Sequence, residues 1–224
     1  MGSVDDGRAV GVIGAEFSER ELRQADLLAF ADEVGAPARP VLVELAEPTT
    51  VRTSVESLDV TEPMASLRLT GAPALPLGPL GAHTVARLLT VLAAELIGTG
   101  RRALEGAVEY AGQRRQFGRP IGSFQAIKHV LADRSVQLDA AWMLVREAAH
   151  AIDGKRADAD VAARTAVEAV TADALQTHGG IDFTWEHRSH VLLRRARARR
   201  SLLGSPAHRL DVLADRLLGS ADPS

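Results

Sequence analysis

The feature that most constrains this chain is a change of hydrophobic period part-way along it. Ahead of the segment Gly71-Ala72-Pro73-Ala74-Leu75-Pro76-Leu77-Gly78-Pro79, apolar residues come in short runs with a period near two; behind it the period is 3.6. The first pattern buries one face of a strand and the second one stripe of a helix, and neither suits the other's backbone. The chain is therefore expected to be α+β, with strands and helices segregated rather than alternating. We expect a small partial β-sheet domain over residues 1–78 and an antiparallel four-helix bundle over residues 79–224, with the Pro/Gly-rich segment read as a linker.

Within the first region the expected strands are Ala9 to Ile13, Asp26 to Ala31, Pro40 to Leu45, Val51 to Leu58 and Met64 to Leu69, separated by Gly, Pro, Asp or Glu. Glu19 to Gln24 fits a short helix or a loop. In the second region Val85, Leu89, Leu92, Leu96, Ala103, Ala107 and Tyr110 lie on one face of a long helix, interrupted at Gly98 and Gly100, where a kink or close backbone packing is expected. Phe124, Ile127, Leu131, Leu138, Ala141, Val145, Ala148 and Ile152 mark the next helix, broken in pattern at Arg134 and ended by Gly154. A third helix starts after Asp158 or Asp160. Its many alanines place it centrally, and Gln176-Thr177-His178-Gly179-Gly180 stops it. A fourth covers about Glu186 to Leu203, and Pro206 opens a fifth with Leu210, Leu213, Leu217 and Leu218 as its apolar side.

Several function classes are disfavoured by composition. A net charge of −3 gives no general pull toward nucleic acid or anionic membrane. The absence of cysteine removes disulfides, thiolate metal sites and thiol nucleophiles. No apolar run reaches the roughly 18 residues that span a bilayer, and Met1 to Gly14 has acidic residues and no long apolar core. The expectation is a soluble cytoplasmic protein. His187 and His190, next to Glu186, could put two ligands on one helical turn, but no third ligand is evident and no metal site is expected. Arg188, Arg194, Arg195, Arg197, Arg199 and Arg200 run around their helix without interleaved aromatics, which suits a solvated or subunit-facing helix better than a nucleic-acid stripe.

Two polar segments stand out. Arg114-Arg115-Gln116-Phe117-Gly118-Arg119-Pro120-Ile121-Gly122-Ser123-Phe124-Gln125 joins the first two helices, and its Gly and Pro residues forbid regular helix. It either turns the chain or presents guanidinium and backbone N–H donors to an anion such as a phosphate. Gln176 to Gly180 is a glycine C-cap, and its bare backbone would also allow a ligand to approach closely.

Together these segments resemble a family signature. Glu109-Tyr110-Ala111, then Arg114 to Ile121 and Phe124-Gln125, Leu131-Ala132-Asp133 on the next helix, and Gln176-Thr177-His178-Gly179-Gly180 resemble the motifs of the acyl-CoA dehydrogenases. The match is good over roughly residues 60 to 218 and weaker over 25 to 58. The resemblance implies a β-domain and a C-terminal helical domain that bind FAD and an acyl-CoA thioester. It also implies a dimer in which the C-terminal domain of one subunit reaches the FAD of its neighbour. The implied FAD contacts are Arg114, Gln116, Phe117, Gln176, Gly179 and Gly180.

Departures from the family pattern shape the functional expectation. The family's N-terminal helical domain has no counterpart in this sequence, and no Trp or Tyr followed by Thr/Ser-rich sequence occurs before residue 80. Setting Arg194-Arg195-Ala196 on the family's R-D-A puts Leu203 where the usual catalytic glutamate stands. Arg87-Leu88-Leu89, the other family location for a base, holds no carboxylate. Leucine cannot accept a proton, and Glu95, on the same helix, does not match in position. No catalytic residue is assigned. The expectation is an obligate oligomer: a subunit of an acyl-CoA-dehydrogenating flavoenzyme that completes the FAD site of an acyl-CoA dehydrogenase-like partner. A self-sufficient enzyme with a displaced base and a helical scaffold without flavin remain the alternatives.

Overall fold

The computed structural model describes residues 2–3, 7–12, 27–31, 39–43, 50–62, 64–69, 73–76, 82–151, 158–179 and 189–200, with isolated helical positions between 207 and 218. The chain forms two compact units, Met1–Gly81 and Ala82–Ser224.

In the first unit the strands are β1 (Gly2–Ser3), β2 (Gly7–Val12), β3 (Leu27–Ala31), β4 (Arg39–Val43), β5 (Thr50–Val55), β6 (Met64–Leu69) and β7 (Pro73–Pro76). They make two antiparallel sheets, ordered β1-β7-β4-β3 and β2-β6-β5. Strand β6 is the centre of the second, pairing Leu69 with Gly7 on one side and Thr50 on the other. One expectation is corrected here. The Pro/Gly-rich segment is not simply a linker, because Pro73–Pro76 pairs with β4 through Val41↔Pro76, Leu42↔Leu75 and Val43↔Ala74. Its prolines stand only at the two ends of the strand, where a missing N–H interrupts the ladder least. The strand expected to run to Leu58 ends at Val55. It gives way to a turn in which Asp59 Oδ1 accepts from the Thr61 N–H at 2.9 Å and from its hydroxyl at 2.6 Å. Glu19 to Gln24 lies outside the described residues.

The second unit is helical: α1 (Ala82–Gln113), α2 (Gln125–His150), α3 (Asp158–His178) and α4 (Ser189–Arg200). Helix α3 packs against each of the other three. Its alanines explain why: Ala159, Ala163, Ala166 and Ala174 are all buried, together with Val167 and Val170. The shared core adds Leu96, Ile97, Ala103 and Ala107 from α1 and Leu131, Leu138, Ala141 and Val145 from α2. Burying a Leu, Ile or Val side chain is worth about 1.5–3 kcal/mol, so this cluster accounts for the period read from the sequence. None of the described helices is long and apolar enough to cross a membrane.

Further readings of the helices are refined. Helix α1 is continuous through Gly98 and Gly100. Only Gly100 is a close approach, since a Cβ there would stand 2.9 Å from Leu138 Cδ1 and 3.0 Å from Val167 Cγ2, whereas nothing lies within 4 Å at Gly98. Helix α2 ends at His150, with Ala151 extended at ψ of 114°; Ile152 and Gly154 lie outside the described residues. Arg134, which breaks the apolar pattern of α2, reaches across to α3 and pairs with Asp173 at 2.6 Å. Of the fifth helix, only scattered positions are described; Leu210 and Leu218 are exposed there.

Candidate functional site

The segment after α1 is a miniature hairpin rather than an open loop. Strands β8 (Arg115–Gln116) and β9 (Arg119–Pro120) pair antiparallel, leaving Phe117-Gly118 as a two-residue turn. Both turn residues have positive φ, 52° and 78°, the geometry that two-residue hairpins favour. Glycine adopts it freely; phenylalanine does so at a cost of about 1–2 kcal/mol. Phe117 is nonetheless 91% exposed. The turn thus combines a strained backbone with a large apolar ring held in solvent.

The hairpin is firmly seated. The Arg114 N–H donates to the Tyr110 carbonyl at 2.8 Å, and the Ile121 N–H donates to the Arg114 carbonyl at 2.8 Å. Ile121, in the single 3₁₀ turn Ile121–Ser123, is buried in the bundle core. Phe124, half-buried, stands edge-on to Phe117 with centroids 6.2 Å apart, and the Arg119 guanidinium lies over its ring at 4.1 Å.

Helix α3 runs through Gln176 and Thr177 to His178, further than expected, and Gly179 follows with φ of 65°. Positive φ just after the last helical residue is the left-handed cap that glycine allows. Gln176 is exposed; Gly180 lies outside the described residues. The ring of His178, at the end of α3, lies 4.7 Å from that of Tyr110, near the end of α1. That contact puts the hairpin and the Gln176–Gly179 turn at one end of the bundle.

Electrostatically this end is cationic and open. Arg114, Arg115 and Arg119 are exposed, and among the described residues none of them pairs with a carboxylate. Arg115 makes one hydrogen bond, to the Gly118 carbonyl at 3.3 Å. The N-terminus of α2 opens here too: Phe124 occupies the N-cap and its side chain makes no capping hydrogen bond. Uncapped first-turn N–H groups carry partial positive charge and suit an anion, whereas the C-terminal ends of α1 and α3 oppose one. The arginines therefore supply most of the attraction. The N-cap and the Arg119–Phe124 stack were not found in the sequence, where Phe124 was read as an apolar helix position and as part of the motif Phe124-Gln125.

The other candidates look different. Glu95, the displaced-base candidate, is held by Arg195 at 2.8 Å on Oε1 and Arg199 at 3.1 Å on Oε2. Arg200 pairs with Glu168 at 2.9 Å. The arginine-rich segment is thus tied largely into the bundle, not spread for nucleic acid. His187 and Leu203 lie outside the described residues, and among those described no three His, Asp or Glu gather to hold a metal. Cavities of about 290 Å³ beside Val136 and about 380 Å³ between Ala169 and Arg197 are lined by none of the hairpin or turn residues.

A helical bundle with an exposed cationic hairpin after its first helix and a glycine turn after its third defines a recognisable class, and comparison with known proteins names it. Residues 83–218 match the family "Acyl-CoA dehydrogenase, C-terminal domain". The chain belongs to the acyl-CoA dehydrogenase family. It is 44% identical over 153 residues to acyl-CoA dehydrogenase IpdE2 of Mycobacterium tuberculosis, an alignment covering 68% of this chain and 47% of IpdE2. Among solved structures it superposes on the Tcur3481-Tcur3483 steroid ACAD with a TM-score of 0.75 and 27% identity, covering 87% of this chain and 58% of that one. Butyryl-CoA dehydrogenase from Megasphaera elsdenii gives 0.74 and 27%, covering 87% and 56%. The chain thus spans about half the length of these relatives.

Proposed function

We propose that this chain is the non-catalytic subunit of a flavoenzyme that dehydrogenates acyl-CoA thioesters between Cα and Cβ. In this reading it completes an FAD site held mainly by an acyl-CoA dehydrogenase-like partner. The observation that carries the reading is the exposed hairpin, in which arginines without carboxylate partners flank a strained, exposed Phe117.

The residues present fit an FAD pyrophosphate and its adenosine half. Arg114 and Arg115 would provide charged donors, Phe117 an apolar face, and Gln176 and Gly179 a polar side chain and bare backbone. FAD, when bound, supplies the hydride acceptor. This chain's own part is to bind and orient that cofactor and to exclude water from its edge. The α-proton needs a base, and neither Leu203 nor the stretch Arg87-Leu88-Leu89 offers a carboxylate. Glu95 has both oxygens engaged by guanidiniums. A partner subunit would therefore provide the base, and the acyl-CoA would be bound by the complex. One finding among relatives supports a partner: the matched steroid ACAD carries the two-part designation Tcur3481-Tcur3483.

The test is co-expression with an acyl-CoA dehydrogenase-like chain from a neighbouring gene, followed by measurement of mass and flavin absorbance. Flavin in the complex and none in the isolated chain supports the reading. A flavin-containing homomer turning over acyl-CoA faster than about 1 s⁻¹ would replace it with a self-sufficient enzyme, and no flavin in either preparation with a scaffold.

A further inference from the structure

We propose that His178 is a positioning residue, clasping the α3 turn to the hairpin base through Tyr110 so that both segments meet an anion at a fixed separation. The proposal deepens the FAD reading and rests on it for its functional consequence, though the clasp itself can be tested without flavin.

Helix ends are where a bundle opens first, because their last carbonyls lack partners and their turns fray. The end of α3 stops at a left-handed glycine. Yet His178 is only 6% exposed. Its Nδ1 lies 2.7 Å from the carbonyl of Ala174, one turn back. A carbonyl only accepts, so Nδ1 carries the proton in that bond. The ring then leans on Tyr110 at 4.7 Å with a 32° tilt. Tyr110 is the residue whose carbonyl accepts the Arg114 N–H, and the Arg114 carbonyl in turn accepts the Ile121 N–H. A continuous line of contacts therefore runs from the end of α3 to the residues that flank the two hairpin strands, Arg114 and Ile121.

Imidazole suits this place because one side chain both stacks and donates. Phenylalanine would stack without donating, and asparagine would donate without stacking. Arg134, bonded to Asp173 at 2.6 Å, fixes the same stretch of α3 to α2, but it does not reach the hairpin. Tyr110 and His178 belong one to each of the two signature segments, and Tyr110 is the chain's single tyrosine.

The experiment is hydrogen exchange on the full chain, comparing wild type with His178→Ala, His178→Phe and Tyr110→Leu. In His178→Ala and Tyr110→Leu the amides of Arg114 and Ile121 should exchange roughly tenfold faster or more, while those of Val167 and Val170 in mid-α3 hold. His178→Phe should restore most of the hairpin protection, since it keeps the ring contact. Should His178→Ala fail to fold, the other two variants still decide the point. Unchanged hairpin amides in Tyr110→Leu would overturn the clasp. Equal loss across the whole bundle would overturn it too, making His178 an ordinary core residue. In the co-expressed complex, FAD affinity should fall about tenfold in His178→Ala and recover in His178→Phe. The expected exchange pattern without any flavin binding would leave the clasp standing and reject the FAD reading.

Discussion

Arginine has opposite employment at two places in the bundle. On α3 and α4 it is structural: Arg164 is bound by both oxygens of Asp160 at 2.9 Å and also donates to the Arg199 carbonyl, while Arg195 and Arg199 share Glu95. At the hairpin, Arg114, Arg115 and Arg119 stand in solvent, and the one aromatic partner, Phe124 under Arg119, is neutral. The same side chain, with the same charge, is engaged by the fold in one region and exposed to solvent in the other. The distinction is whether a carboxylate stands within reach. For Arg164 it is one turn back on the same helix, a spacing visible in the sequence; for Arg195, Arg199 and Arg200 it lies on a neighbouring helix, which is a property of packing.

The comparison breaks most readily at the buried pair. Asp160 is 1% exposed and Arg164 7%, so Asp160→Ala would strand a guanidinium away from water. Losing one partner of a buried pair costs about 3–5 kcal/mol, which for a chain of this size lowers the melting temperature by roughly 10 °C. Thermal unfolding followed by the helical circular dichroism signal measures it. A change below about 1 kcal/mol would mean that the α3–α4 arginines are as free as those of the hairpin.

Arg114→Ala should do the reverse. Its side chain is exposed, so stability should move by no more than about 0.5 kcal/mol. Loss of a charged hydrogen bond to an FAD phosphate is worth about 1.5–3 kcal/mol, or roughly ten- to hundredfold in affinity. Titration of the co-expressed complex with FAD reads the second effect and a melting curve the first. Unfolding of the bundle by this substitution would show the hairpin arginine to be structural.

Phe117→Asn separates backbone strain from ligand contact. Asparagine tolerates positive φ better than phenylalanine, so relief of a φ of 52° should stabilise the unit by about 1 kcal/mol. Flavin binding should weaken at the same time, because the exposed ring is gone. Gains in both properties would show that the ring has no ligand to meet.

Much of the fold was legible because burial repeats with the period of the backbone. Leu131, Leu138, Ala141, Val145 and Ala148 were read as one face and are all buried. The strand Pro73–Pro76 was not legible, since proline is a poor local signal for a ladder whose partners, β1 and β4, are distant in sequence. Gly98 and Gly100 read alike, yet only Gly100 meets neighbours, from α2 and α3. Of the candidate site, motif spacing gave the segments, and the structure puts Arg114, Gln116, Phe117, Gln176 and Gly179 at one end of the bundle. The type of turn was hidden because Phe-Gly lacks the Asn or Asp that usually marks it. The Tyr110–His178 contact was hidden because it joins residues 68 positions apart, a separation no local pattern carries.

The smallest effect sharpens the comparison most. Arg200 belongs to the structural group by its bond to Glu168, but its side chain is 49% exposed and that of Glu168 35%. Water already solvates much of both charges, so the pair gains little by closing and loses side-chain freedom when it does. Arg200→Ala should therefore cost at most about 1 kcal/mol, far less than Asp160→Ala, and a double-mutant cycle with Glu168→Ala should return a coupling of similar or smaller size. Raising the salt concentration should shrink that coupling further, whereas the enclosed Asp160–Arg164 pair should resist. Flavin binding in the complex should not respond, because Arg200 lies on α4 and has no bond toward the hairpin end. A coupling as large as that of the buried pair would show that exposure does not grade the arginines. A loss of flavin in Arg200→Ala would place a ligand-facing arginine inside the structural group and erase the division between the two regions.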